Sequence, residues 1–423
     1  MIGPATALLE ALFGETFRRD FDVRLWDGTT LPSTTSNRIF TLVVNEPGAL
    51  RRAFTPPLER NAGAAFVAGV LDVEGDLTAA IAALNAANSG RSALERARIG
   101  WLLTRLPRNG KPAPSGAQLH GKRHSRERDR AAIAYHYDHP VAFYRDFLDR
   151  DLVYSCAYYD DGVDTLDGAQ AAKLDYVLRK LRLEPGMTFL DIGCGWGSLV
   201  IAAARRGADA LGITLSRVQH DEANRRIAAL GLDECARVEF RDYRDLGGLT
   251  FDRIASIGMF EHVGRSCLPA YFEAAFAALR PGGLFLNHGI AEQSPGRRPP
   301  SNPFIERYVF PDGDLVAVAD GLAIAERTGF EIRDVENLRE HYARTLRAWV
   351  TNLERNRDDA VAQAGDVAYR VWRLYMAASA VSFDAASIGV YQSLLARPDP
   401  SGHVTIPPTR RDLYVSSLRS ETE

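Results

Sequence analysis

Cysteine is scarce: Cys156, Cys194, Cys235 and Cys267 are the only four in 423 residues, and no two form a C-x-x-C pair or a zinc-type spacing. That excludes a disulfide framework and a cysteine-held metal, and it points to a reduced, cytoplasmic compartment with no metal in the site. Long apolar runs are missing too. Nothing approaches the roughly 18 uninterrupted residues of a membrane span. The opening MIGPATALLEALFG has neither a basic stretch nor an unbroken apolar centre, so no signal peptide is expected. Charge of one sign is also lacking. A net charge of −3 argues against a nucleic-acid binder, which would be strongly basic. Internal repeats are not apparent.

The chain does have enough apolar material for large cores, with 46% hydrophobic and 25% charged residues, and its length suggests more than one domain. Residues 1–104 mix short strand-like runs (21–25, 39–44) with helical stretches such as 76–88, separated by turn signals. Residues 105–130 read as a basic linker: Pro, Gly and Ser break any period, and eight Lys/Arg oppose two acids. Such a segment is either a solvated, partly disordered connector or a contact for anionic lipid headgroups. Residues 131–423 alternate strands (188–191, 210–215, 238–240, 253–257, 283–288) with helices (166–183, 198–206, 218–230). This alternation predicts an α/β domain with a parallel sheet, Rossmann-like in its winding.

The strand ending at Asp191 runs directly into Gly193-Cys194-Gly195-Trp196-Gly197 and a helix. Glycines there permit a tight turn and close backbone approach, and the helix N-terminus favours a carboxylate. A dinucleotide site would place a third glycine at position 198, where this chain has Ser198. Asp before G-x-G-x-G instead suits an S-adenosylmethionine site, with Asp191 facing the cofactor's amino-acid part. The next strand tip carries no acid for the ribose; Thr214 and Gln219 are the polar groups available, while Ser216 can cap the following helix. Asp242 and Tyr243 stand where adenine would be contacted.

From about Tyr135 onward the chain resembles cyclopropane-fatty-acyl-phospholipid synthases, members of the class I S-adenosylmethionine-dependent methyltransferases. The resemblance rests on seven collinear segments: YSCAY (154–158), LDIGCGWGSL (190–199), GITLSRVQ (212–219), RDYRDL (241–246), SIGMFEHVG (256–264), PGGLFLNHGI (281–290) and HYARTLRAW (341–349). VRLWDG (23–28) and FVAGVLDVEGDL (66–77) look like the accessory lipid-engaging domain of full-length bacterial members. The resemblance implies a methyltransferase sheet with helical insertions behind a smaller α+β lipid-binding domain. It implies methyl transfer to the cis double bond of an unsaturated phospholipid acyl chain, met at the inner membrane face by a peripherally associated enzyme. It adds Tyr154 and Ser155 to the cofactor site. It also implies a bicarbonate base held by Cys156, Glu261, His288 and Tyr342, with the Ile290 backbone nearby.

Each of these residues has a plainer reading: Cys156 as a small buried hydrophobe, Glu261 as a partner of Arg265, Tyr342 and Trp349 as core. Proton loss from the new methyl closes a cyclopropane ring. Loss from a chain carbon gives a methylene or methyl-branched precursor, which a separate reductase would finish. A non-catalytic lipid-binding protein on the same scaffold is the alternative of another class. One segment departs from the family: His136-Tyr137-Asp138 continues as His139-Pro140-Val141-Ala142, where a Gly/Ser-Asn-Asp stretch is usual. A homodimer, one subunit on the membrane while the other reacts, is compatible with this organisation.

Overall fold

The structure is a computed structural model describing residues 2–13, 20–88, 90–108, 110–293 and 303–414. It divides into two compact units, neither continuous in sequence. One gathers Met1–Gln118, Pro300–Pro311 and Leu353–Ser382; the other gathers Leu119–Pro299, Asp312–Asn352 and Phe383–Glu423. The linear division at 104 and 130 is therefore corrected. Two later segments of the expected catalytic domain pack with the N-terminal region, and the basic linker is split between the units.

The first unit holds a four-stranded sheet made of β1 (Phe21–Arg24), β2 (Thr30–Leu31), β3 (Phe40–Val44) and β4 (Leu71–Gly75), in the order β2-β1-β3-β4. Its later segments are tied in by charge. Arg370 Nη2 donates to Asp72 at 2.9 Å; Arg373, which is buried, donates to Glu354 at 2.7 Å and to the Val73 carbonyl at 3.2 Å. The Ala117 amide donates to the Arg307 carbonyl at 2.8 Å, so the chain after residue 104 is built in.

In the second unit the rest of that basic stretch is equally engaged. Arg128 grips Asp312 through Nε (2.5 Å) and Nη2 (2.9 Å), and Arg126 Nη1 donates to both Asp245 oxygens at 2.8 and 2.7 Å. Residues Arg126–Tyr137 form a helix capped by the Ser125 hydroxyl. The reading of this stretch as a partly disordered connector does not hold for residues 123–130, where Arg123, Arg126 and Arg128 find carboxylates within the unit.

The main sheet has seven strands: β5 (Thr188–Ile192), β6 (Asp209–Thr214), β7 (Ala236–Phe240), β8 (Phe251–Ile257), β9 (Leu279–Glu292), β10 (Glu331–Asn337) and β11 (Ile388–Ala396). Their order is β10-β11-β9-β8-β5-β6-β7. Strands β5 to β9 pair in parallel as their helical crossovers require, while β11 runs antiparallel between β9 and β10, so the sheet is mixed. Apolar cores cover both faces, one centred on Phe189, Val200 and Leu286, the other on Leu190, Phe272 and Phe285. Leaving β5, the chain crosses to β6 on one side, and β8 lies on the other. Ligands of open α/β sheets bind in the crevice at such a reversal, beyond the strand C-termini.

Candidate active site

A cavity opens at that reversal, where open α/β sheets place their ligands. Its floor is the turn after β5. The Gly193 and Cys194 amides both donate to the Ile213 carbonyl, at 2.9 and 3.0 Å, which folds the turn tightly against β6. Gly193 (φ +79°) could not be replaced cheaply: a Cβ there would lie 2.3 Å from Met259 Cγ. Gly195 (φ +54°) is the opposite case, with only Gln219 Nε2 near, at 4.0 Å, so its backbone is open to a ligand. Asp191 is buried and its Oδ1 has no partner in the fold. Burial raises its pKa to about 7, against the pull of Lys173. A buried carboxylate with an unmet oxygen beside an open glycine backbone is a fit for a cationic amino group, as the S-adenosylmethionine reading requires.

Tyr154, Ser155, Thr214, Gln219 and Tyr243 line the same cavity with Asp191, Gly193 and Gly195. The hydroxyl of Thr214 donates to Gln219 Oε1 at 2.9 Å, and Ser216 caps the next helix by accepting from the Gln219 amide at 3.2 Å. Asp242 is the exception. Its Oδ1 accepts from the Arg244 amide (2.9 Å) and Nε (2.8 Å) and its Oδ2 from Nη2 (2.6 Å), and the wall passes through Arg241 and Tyr243 instead. The residues just before the divergent segment reach this site. Tyr137 lines the cavity, and Asp138 Oδ1 accepts from the Ser216 hydroxyl at 2.7 Å. Pro140 sits at the N-cap of a short helix, Val141–Arg145.

Sequence reasoning missed Gln170, Lys173 and His262. The first two belong to the helix Leu166–Lys180, whose sequence LDGAQAAKLDYVLRK gives no sign of which polar residues turn inward. His262 lines the cavity and meets the Tyr137 hydroxyl at 3.4 Å; burial pushes it down to about 4, so it is neutral.

The four residues assigned to proton removal do not line this wall, although Cys156 and Glu261 adjoin residues that do. Ser155 lines the cavity and Cys156 follows it; Met259 and His262 line it and flank Glu261. Glu261 Oε2 accepts from the Ile290 amide at 3.4 Å, and burial raises this carboxyl to about 7. It does not pair with Arg265, whose partners are Asp320 and Glu292. His288 is buried and held neutral, its pKa pushed well down by burial. Its Nδ1 contacts Gln392 Nε2 at 3.3 Å; with the amide donating, the proton stays on Nε2, which has no partner. Cys156 is buried, its thiol pushed up, and Sγ donates to the Leu338 carbonyl at 3.7 Å. That same carbonyl accepts from the Tyr342 amide at 3.1 Å, while the Leu338 amide donates to the Val390 carbonyl at 2.8 Å. Val390 is in register with Ile290 across β9 and β11. These contacts link Cys156, Tyr342, Ile290 and Glu261 through Leu338 and Val390, and His288 lies two residues before Ile290 on β9. Aromatic rings run from the cavity wall toward Tyr342: Tyr154 lies 5.0 Å from Trp349, and Trp349 lies 6.1 Å from Tyr342.

Comparison with known proteins agrees with the geometry. Residues 124–393 match the sequence model described as mycolic acid cyclopropane synthetase. The chain is 39% identical over 397 residues to a Pseudomonas putida protein named "Probable fatty acid methyltransferase", covering 93% of this chain and 95% of that one. It is 36% identical over 268 residues to the cyclopropane-fatty-acyl-phospholipid synthase of Escherichia coli K12, covering 63% of this chain and 68% of the relative. Among solved structures, mycolic acid cyclopropane synthase CmaA1 complexed with SAH and CTAB superposes with a TM-score of 0.60 at 34% identity. It covers 63% of this chain and 98% of its own.

Proposed function

Because the chain belongs to the mycolic acid cyclopropane synthetase family and is an S-adenosylmethionine-dependent methyltransferase, we propose that it methylates the cis double bond of unsaturated phospholipid acyl chains, closing a cyclopropane ring. The observation that carries this reading is the line of rings from Tyr154, in the wall of the cofactor cavity, through Trp349 to Tyr342. An alkene is a poor nucleophile, and cationic character develops on carbon during the transfer. Aromatic faces in a dry site favour that charge, and a fixed geometry spares the entropy of bringing the reactants together.

Bound S-adenosylmethionine supplies the electrophilic methyl group. Asp191 would hold its ammonium, and the Gly193–Gly195 turn lets the backbone close on it. Bicarbonate, if bound, would be held by His288 Nε2–H, the Cys156 thiol, the Tyr342 hydroxyl and the Ile290 amide, with Glu261 accepting from its hydroxyl, and would supply a base. With the Gln392 amide donating to His288 Nδ1, the imidazole presents Nε2–H, the role an anion there would need; the thiol would have to turn from the Ala157 and Leu338 carbonyls to do the same.

The second reading is C-methylation without ring closure, giving a methylene or methyl-branched precursor for a separate reductase. The likeness to the Pseudomonas protein along nearly its whole length favours it. Incubation with S-adenosylmethionine and vesicles of defined monounsaturated phospholipids, with product isomers assigned by NMR and gas chromatography, separates the two. No cofactor turnover on any such lipid would refute both and leave the non-catalytic lipid-binding alternative.

Access from the membrane surface at the inner face completes the proposal. No helix of the described residues is long and apolar enough to cross a membrane. In the first unit the helix Ala93–Thr104 presents Leu94 (84% exposed) and Trp101 (55% exposed) one heptad apart, with Arg105 stacked over the Trp101 ring at 4.3 Å. An exposed aromatic and leucine beside arginines suit an anionic bilayer surface.

A further inference from the structure

The lysine that sequence reasoning overlooked occupies a commanding place in the cavity. Lys173 is 1% exposed, lines the wall, and donates from Nζ to the Ser155 hydroxyl oxygen at 2.9 Å. One turn before it on the same helix, Gln170, which is wholly buried, donates from Nε2 to the Val153 and Ser155 carbonyls at 3.2 and 2.9 Å. Asp149 accepts from the Val153 and Asp151 amides at 2.8 and 3.0 Å. The loop that carries Tyr154, Ser155 and Cys156 is therefore fixed from below, and two consequences follow for its hydroxyl.

Because Ser155 Oγ accepts from an ammonium, its own hydrogen must point away from Lys173, leaving the serine a donor. The ammonium has three hydrogens and Ser155 takes one. This part of the wall therefore offers a cation and an O–H, while Asp191, with its unmet Oδ1, offers an anion within the same cavity. A wall with one buried charge of each sign is complementary to a zwitterion.

We propose that Lys173 is a cofactor-binding residue that, with the Ser155 hydroxyl, receives the carboxylate of the cofactor's amino-acid end while Asp191 receives its ammonium. The inference rests on the reading of the cavity as the S-adenosylmethionine site. The electrostatics agree: burial lowers Lys173 to about 8, with Cys156, Asp149 and Asp191 working against that loss. A bound carboxylate would add to the groups that keep it charged.

The test compares two ligands by calorimetry on the full chain. S-adenosylhomocysteine carries the amino-acid end; 5′-methylthioadenosine keeps the adenosine and sulfur but lacks it. Lys173→Met is expected to weaken S-adenosylhomocysteine on the order of ten- to a hundredfold, the usual loss of a charged hydrogen bond, and to leave 5′-methylthioadenosine within about twofold. Lys173→Arg should restore part of the loss, since the charge returns without the geometry. If Lys173→Met fails to fold, Ser155→Ala, which leaves the buried charge in place, must show the same ligand-selective loss. Equal weakening of both ligands would mean that Lys173 only shapes the loop, and no change in either would mean that it faces no ligand; both overturn the proposal. Failure of the unmodified protein to bind S-adenosylhomocysteine at all would instead overturn the cofactor reading.

Discussion

Glu261 is where stability and activity should part company. Its carboxyl ordinarily ionises near 4.5, and burial raises that to about 7. Each tenfold change in acidity corresponds to about 1.4 kcal/mol, so holding the ionised form costs the folded protein about 3 kcal/mol, an upper value because the residue keeps some exposure. The folded state binds the proton more tightly than the unfolded chain. The cost is thus absent below about pH 4.5, accumulates up to about pH 7 and is complete above that. Glu261→Gln removes the charge while its carbonyl can still accept from the Ile290 amide. The variant should melt with the wild type near pH 5 and several degrees above it at pH 8, since 1 kcal/mol moves the melting point of a large domain by about 2–4 °C. Its affinity for S-adenosylhomocysteine should stay within about twofold while product formation falls by at least about a hundredfold. Thermal melts at the two pH values, calorimetry and product analysis measure the three effects. A variant whose melting point follows the wild type at both pH values would refute the burial argument. Lost cofactor affinity with retained turnover would refute the role given to Glu261.

Other perturbations address separate parts of the molecule. Gly193→Ala puts a methyl group 2.3 Å from Met259 Cγ at a positive φ, so it should cost about 1–3 kcal/mol or displace the turn; Met259→Ala in the same chain should recover part of the cofactor affinity, as calorimetry would show. Arg128→Ala should lower the melting point, by about 1–3 kcal/mol in stability, without changing vesicle binding, because the guanidinium is spent on Asp312. Trp101→Ala with Leu94→Asp should reduce sedimentation with anionic phosphatidylglycerol vesicles several-fold and leave turnover on detergent-dispersed lipid unchanged; unaltered sedimentation would exclude that helix from the membrane contact.

The Asp-then-glycine turn was legible because its chemistry is local: a strand, three glycines and a helix start are adjacent in sequence. The strands β5 to β9 were legible for the same reason, each being an apolar run bounded by turns. β10 and β11 were not, since EIRDVEN is polar, and IGVYQSLLA follows a long helical stretch with no turn signal that assigns it to the same sheet. Lys173 and Gln170 look like an ordinary solvated helix face until the fold turns that face toward the loop at 149–156. Asp242 is a residue in a suggestive place whose carboxylate also accepts from Arg244, two residues away, a pairing that its position in the sequence does not announce. The resemblance supplied Cys156, Glu261, His288 and Tyr342; contacts through Leu338 and Val390 link Cys156, Tyr342 and Glu261, and no spacing in the sequence reveals them.

The interleaving of the two units constrains how the chain can be cut or shuffled. A gene fragment beginning after residue 118 would still encode Pro300–Pro311 and Leu353–Ser382 but not their sheet, stranding Arg370 without Asp72 and the apolar sides of two helices without cover. A chain without this unit therefore needs changes at three separated stretches at once, not one cut.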